Sequence, residues 1–302
     1  MSKTARIFVM IAVVLAALTL ILFTCSMAAC GWDFSKLGTG GYIMNTYEPN
    51  GAFDKISIRV DTSKITFAPS EDGSCKILCH EKEKVKHAVT VQDGVLVIET
   101  IDTRKWYDHI GIFFDYAQVT VYLPQRTYAS LRIDTDTGDI RIPEVFSFES
   151  VRIDADTGNV TCFAAVSGAL EIELSTGDIH VASVATGVMD LATNTGNIKV
   201  EGTAVGNDAD IETDTGNVTL QNVVVAGSLS VDTDTGNVKL EASDAGMLSI
   251  STDTGNVSGT LLSDKVFLTE TSSGRVRVPK TTTGGTCEIT TATGNIDISI
   301  QE

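Results

Sequence analysis

Proline is scarce in this chain, 5 residues in 302, and aromatic side chains make up only 6%. Few prolines leave almost every backbone N–H able to join a sheet ladder. Basic residues are also in deficit. There are 22 Lys and Arg against 39 Asp and Glu, a net charge of −17, which excludes nucleic acid as a partner because phosphate binding needs a basic surface. Histidine is rare and scattered (His80, His87, His109, His180), and no Ser, His or Cys constellation stands out along the chain. Six cysteines form no disulfide framework. Cys25 and Cys30 lie in an apolar N-terminal stretch, and Cys162 and Cys287 fall on inward positions where a thiol acts as a small hydrophobe. Cys75 and Cys79 are four apart, facing one way on a strand but too distant to bond. With His80 they form a conceivable metal set, yet no second ligand pair at zinc spacing follows. No cofactor is expected. Helical 3.6-residue periodicity is missing from residue 50 onward, which sets helical repeats aside.

What is present instead is a period. Thr-Gly-Asn or Thr-Gly-Asp recurs every 19 or 20 residues, with glycines at Gly138, Gly158, Gly177, Gly196, Gly216, Gly236, Gly255, Gly274 and Gly294. One copy is a variant, Ser273-Gly274-Arg275. Such regularity means one unit stacked on itself. Apolar residues stand seven and five before the glycines, as in Leu131 and Ile133 or Leu229 and Val231, with Thr269 the one exception and mostly polar residues between. That is the alternation of a half-buried strand. Two residues after the glycine the apolar phase flips (Ile140, Val160, Ile179, Val238), so a straight strand cannot keep both sets on one side. The glycine must mark a corner, where positive φ comes cheaply. About ten further residues per repeat leave room for a turn and a third short strand such as Phe146 to Phe148.

The expected fold is all-β, a parallel β-helix or β-solenoid of about nine 19–20-residue coils. A blade of roughly 40 residues would be needed for a propeller. Residues 128–302 form the solenoid, and residues 51–127 a β-rich N-terminal cap with a degenerate first coil at Asp61-Thr62-Ser63-Lys64. Residues 31–50 form a tether. Residues 1–30 hold an apolar run from Ile7, preceded by Lys3 and Arg6, which predicts one transmembrane helix acting as a retained signal anchor with the solenoid outside. The alternative is a lipoprotein, since Met27-Ala28-Ala29-Cys30 resembles a bacterial lipobox with Cys30 as the lipidated residue. The last coil ends near the C-terminus without a visible cap, which predicts a bare edge able to stack end to end on another copy.

The repeated Asp-Thr-Gly-Asn/Asp-Val, the segment Arg104 to Gly111, and Pro279-Lys280-Thr281-Thr282-Thr283-Gly284-Gly285 resemble the bacterial "putative adhesin" family of β-strand-repeat domains of unknown function, over roughly residues 50–302. The resemblance implies a predicted β-helix behind a membrane segment, a surface location and an adhesive role, and it carries over no catalytic residue.

Candidate sites follow from the rows. Asp136, Asp156, Asp214, Asp234 and Asp253 stand two before the glycine, and Asp134, Asp154, Glu173, Glu212, Asp232 and Glu270 four before. Stacked in register they are either Ca²⁺ ligands between coils or a solvated face that keeps the sheet soluble. The residue after the glycine is nearly always Asn or Asp, which predicts a ladder of stacked amides. The Thr beside it predicts a hydroxyl row. Asp253, Arg275 and Arg277, within about one repeat of each other, are the nearest thing to the acid-and-base cluster of a polysaccharide-cleaving β-helix, but the coils are short and lack groove-forming loops. Trp106, Tyr107, Phe113 and Phe114 interrupt the repeat and are either a partner contact or a plug for the end of the core. The expected function is a non-catalytic cell-envelope surface protein, an adhesin, scaffold or sensor with a protein or glycan ligand. The alternatives are a carbohydrate-active enzyme or a calcium-binding stalk.

Overall fold

A computed structural model describes residues 3–29, 31–32, 42–105 and 117–301. From Lys55 onward the chain winds into a parallel β-solenoid with three faces. One coil shows the plan. The strand Ala209–Thr215 forms the first face, the corner at Gly216 follows, Val218–Gln221 forms the second face, and the short stretch Val224 and Val225 begins the third. Ala209, Ile211 and Thr213 point inward, then Val218 and Leu220, then Val223 and Val225. The phase flip read from the sequence is therefore the corner between the first two faces.

Neighbouring coils pair in parallel and in register. Ile172 lies beside Ile153 on one side and Leu191 on the other, and Ile198 lies between Ile179 and Val218. Each inward position thus becomes a ladder of Ile, Val and Leu along the axis, and one continuous cluster of buried side chains runs from Phe53 to Ile298. Burying a side chain of this kind contributes about 1.5–3 kcal/mol, so the coil-on-coil core is the main support of the rod. Cys162 and Cys287 sit within it, fully buried.

At the proximal end, Lys55–Pro69 is a true first coil. Its first half pairs in parallel with Thr127–Thr137 and its second half with Ile140–Ile142. Beyond it the direction changes. Val95–Asp102 continues the first face and is flanked by the antiparallel strand Val85–Gln92. Ala117–Leu123 continues the second face and is flanked by antiparallel Lys76–Lys82 and then Tyr42–Tyr47. This is the β-rich cap.

At the distal end the spatial order departs from the chain order. The strand carrying Leu248 and Ile250 pairs not with the next repeat but with Gly285–Thr293, and that strand in turn pairs with Lys265–Ser273. The last repeat is therefore inserted beneath the penultimate one. The bare edge expected near Ile300 is instead Lys265–Ser273 with Val276–Arg277, where Val266, Leu268 and Val276 are exposed.

The N-terminal segment Lys3–Ala29 is helical, and Val13, Leu18 and Leu22 on it are exposed. Among the described residues no helix is long and apolar enough to cross a membrane, so the transmembrane helix expected from residues 1–30 is not found. Cys30 lies outside the described residues.

Candidate functional site

The nine corner glycines form one column. A Cβ on Gly158 would lie 2.3 Å from the Gly138 carbonyl oxygen, and one on Gly236 would lie 1.7 Å from that of Gly216. The swap at the distal end is preserved here: Gly294 faces Gly255, and Gly274 faces Gly294. Positive φ explains only part of the row. Gly138, Gly158 and Gly177 have φ of 146°, 142° and 149°, while Gly236 and Gly255 have none in that region. Close approach of coil to coil is what requires glycine throughout.

Two polar rows lock the column. The predicted amide ladder is present: Asn217 Oδ1 accepts from the Asn237 backbone N–H at 3.0 Å and from its side-chain amide at 3.1 Å, and the pattern repeats along the rod. Asn295 bonds Asn256 directly, 39 residues away in the chain. Arg275 N–H donates to Asn295 Oδ1 at 3.0 Å and ends the ladder. Among the described residues no coil follows Arg275 in the stack, so no acceptor is needed there, which accounts for the variant Ser-Gly-Arg. The second row was not singled out from the sequence. Three before the glycine, Thr193, Thr213, Thr233, Thr252 and Thr291 are buried and donate to the preceding corner's glycine carbonyl at 3.0–3.3 Å. The Thr row beside the glycine, by contrast, is largely exposed.

The acidic rows line an exposed face. Asp61 extends the row of Asp136 and Asp156, because the first coil stacks on the second. Asp214, Asp234 and Asp253 form a second run, which ends at Ala292. Burial and then neighbouring carboxylates (Asp61, Asp156, Asp134) hold the Asp136 carboxyl above its ordinary range. Asp190 and Glu212 are raised in the same way. The residues of these rows do not gather three ligand atoms around a common point; among the described residues only Cys79, Glu81 and His87 do so. Asp253, Arg275 and Arg277 are not adjacent either. The inserted final coil separates the coil of Asp253 from that of the two arginines, which places them two coil spacings apart, roughly 10 Å.

The cap holds a different cluster. Alternation on Lys76–Lys82 turns Cys79 and Glu81 inward and His80 to the other side, where its ring stacks on Tyr42. The set Cys75, Cys79 and His80 therefore does not assemble, and Glu81 and His87 take its place beside Cys79. Glu81 is fully buried. Its Oε1 accepts from the Asn45 side chain at 2.5 Å and the Tyr47 hydroxyl at 2.8 Å, and its Oε2 from the His87 backbone N–H at 2.7 Å and ring Nδ1 at 2.8 Å. Burial pushes this carboxyl up, but the bonds from Asn45, His87 and Tyr47 outweigh it and hold the group below its usual range. All four acceptor positions of the carboxylate are used, so a metal at this point would have to displace one of them. Burial, with Glu81 second, pushes the Cys79 thiol up to about 12. The far nitrogen of the ring, His87 Nε2, lies 3.5 Å from Ser63 Oγ. Ser63 and His87 line a cavity of about 240 Å³ together with Tyr42, Lys82 and Arg104. Trp106, Tyr107, Phe113 and Phe114, the aromatic candidates, lie outside the described residues.

Residues 53–299 match the family described as Toastrack DUF4097. The chain belongs to that family. No curated protein matches this Toastrack chain. Among solved structures it is similar to a "putative adhesin" from Parabacteroides distasonis at 13% identity, with a TM-score of 0.53 and coverage of 87% of this chain and 98% of that one. It is also similar to a "putative lipid binding protein" from the same organism, again at 13% identity, with a TM-score of 0.52 and the same coverage. At that identity the likeness shows the fold. In this Toastrack chain, then, sequence reading located the corners and the amide ladder. The Ser63, His87 and Glu81 cluster escaped it, because its members come from three strands whose pairing no local pattern reveals. The one available signal was Ser63 itself, a serine at the position where every later coil has glycine.

Proposed function

We propose that this Toastrack chain is a surface protein of the cell envelope, displayed on the outer side, that serves in adhesion or as a scaffold. The observation carrying this reading is the uniformity of the coils. The nine coils with a corner glycine have nearly equal lengths and stack without long loops between them, so the rod body supplies reach and a solvated acidic surface, and recognition falls to its ends. The fold of a protein named "putative adhesin" supports the same reading. The exposed apolar side chains of Lys3–Ala29, such as Val13 and Leu22, support contact of the N-terminal segment with a membrane surface, with lipid on Cys30 as the anchor. The open edge of the distal strand supports end-to-end or edge-to-edge pairing with a second copy.

The test uses cells expressing the full chain. Externally added protease or antibody should reach the rod on intact cells, and such cells should adhere to members of a glycan and protein array that cells lacking the chain ignore. Inaccessibility from outside removes the surface reading; accessibility without any gain in adhesion removes the adhesive one. Mass analysis of the N-terminus separates lipidated Cys30 from an uncut chain.

A further inference from the structure

The column of corners ends at a buried polar cluster in the cap. Each corner glycine is aimed at the carbonyl of the coil before it, and Gly138 faces Ser63 in this way. Ser63 occupies the same corner position in the first coil, and the strands beyond it, Val95–Asp102 and Ala117–Leu123, belong to the cap. Its side chain accordingly points out of the stack toward the cap, where it meets His87. His87 arrives on Val85–Gln92, which extends the first face, and Glu81 on Lys76–Lys82, which extends the second. The cap thus folds two antiparallel strands over the corner and brings three residues from separate segments into line.

From this line we propose that Ser63, His87 and Glu81 form a nucleophile, base and orienting carboxylate that hydrolyse small carboxylic esters in the cap cavity. Ser63 Oγ, His87 Nε2 and Nδ1, and Glu81 Oε2 succeed one another at 3.5 and 2.8 Å. The carboxylate only accepts, so Nδ1 of the neutral ring carries the proton and Nε2 is left to accept from the serine. A nucleophile-to-base distance at the long end of hydrogen-bond range is compatible with this role, since such contacts tighten when substrate binds. Glu81 is held ionised by its hydrogen bonds, which suits it to steady an imidazolium. Lys82 and Arg104 line the same cavity. Arg104 is held by a bidentate pair with Asp102, and Asp61 also lines the cavity, so the wall carries both signs of charge and selects no charged acyl group. A cavity of about 240 Å³ fits an acyl group of a few carbons and not a polymer backbone.

The reaction balances without any further reagent than water. Ser63 Oγ attacks the ester carbonyl carbon as His87 Nε2 takes the hydroxyl proton. The C–O bond to the alcohol breaks, and the alcohol leaves with that proton. Water then attacks the acyl-serine, its proton passes through His87 back to Ser63 Oγ, and the carboxylic acid is released. Ser63 and His87 are the catalytic residues, and Glu81 is a positioning residue. The activity is independent of the adhesive role and is read on purified protein without cells.

The full chain is incubated with a fluorophosphonate probe and the modified peptide identified by mass spectrometry. In parallel, hydrolysis of p-nitrophenyl acetate and of mono-p-nitrophenyl succinate is followed. The expected result is an adduct on Ser63, absent in Ser63→Ala and formed at least 100-fold more slowly in His87→Gln, with p-nitrophenyl ester hydrolysis lost in both variants. In Glu81→Gln the maximal labelling rate falls at least tenfold while the probe concentration for half-maximal rate is unchanged, a split that loss of folding does not produce. Wild-type protein left unlabelled at Ser63, under conditions that fully label trypsin, overturns the proposal whatever the variants do. So does stoichiometric Zn²⁺ binding to Cys79, Glu81 and His87 in the purified protein, since the metal would occupy the base.

Discussion

Replacing Gly236 with alanine separates two explanations of the corner row. If the row existed for positive φ, Gly236 would tolerate a side chain, because its φ lies outside that region. Close stacking predicts the opposite. The new Cβ would sit 1.7 Å from the Gly216 oxygen and 2.6 Å from its carbon, both backbone atoms that no rotamer can relieve. Relief requires the two coils to part by more than about 1 Å at the corner, since a carbon and an oxygen need about 3 Å. That motion pulls on the Gly216 N–H bond to Thr235 O at 3.0 Å, the Val218 N–H bond to Asn237 O at 3.0 Å, and the Asn237 and Thr233 side-chain and backbone bonds to Asn217 and Gly216 beside them. At about 1 kcal/mol for each bond lost the cost is roughly 3–4 kcal/mol, a fall in melting temperature of about 10 °C for a chain this size. Gly206 is the control. It has no positive φ, and the nearest atom to its added Cβ is Thr186 O at 3.7 Å, an ordinary contact. Gly206→Ala should be neutral or stabilise by up to about 1 kcal/mol through the unfolded chain. Both variants are compared by thermal and urea unfolding. Equal melting temperatures for the two would refute the stacking argument.

Three further outcomes follow from the rows and the distal end. Asp136, Asp190 and Glu212 have carboxyls raised by burial and then by like charges, and Asp232 is raised by burial and acidic neighbours against an opposing bond from Ser251. Their native forms bind protons more readily than the unfolded chain, so stability should climb as pH drops from neutral through their raised range. It should then decline at lower pH as Glu81 and Glu201, held below their usual range, take up protons; a melting temperature that only falls below about pH 7 would contradict this. Asn217→Ala removes an acceptor used by two bonds and should cost about 1–2 kcal/mol, whereas Arg275→Ala, at the end of the ladder, should fall within about 0.5 kcal/mol of wild type in urea unfolding. Lys265 is buried with Nζ bonded to Ala245 O, Ser263 Oγ and Asp244 Oδ1 at 2.7–2.9 Å, so Lys265→Met strands Asp244 and should cost about 3 kcal/mol, read as loss of thermal stability.

The family resemblance and the solenoid were both legible from residue order. A 19–20-residue period with Thr-Gly at its corner admits few structures, and the inward ladders at Leu229, Val231 and Val238 are where the alternation places them. The buried Thr213 and Thr233 row was also written in the sequence as the first Thr of Asp-Thr-Asp-Thr-Gly or its equivalent, but alternation alone does not say that a hydroxyl has a carbonyl waiting for it. Ala292, standing where an aspartate would continue the row after Asp253, is of the same kind: its neighbours cannot be named until the stack is known.

Repetition determined the coil, its corner and its inward faces, because each of these depends on contacts that recur identically from one repeat to the next. Which coil lies on which at the distal end, and which side chains meet under the cap, were decided by tertiary structure alone. The insertion of Gly285–Thr293 between two earlier strands, and the meeting of Ser63 with His87 and Glu81, rest on single long-range pairings. A pairing made once leaves no period to read.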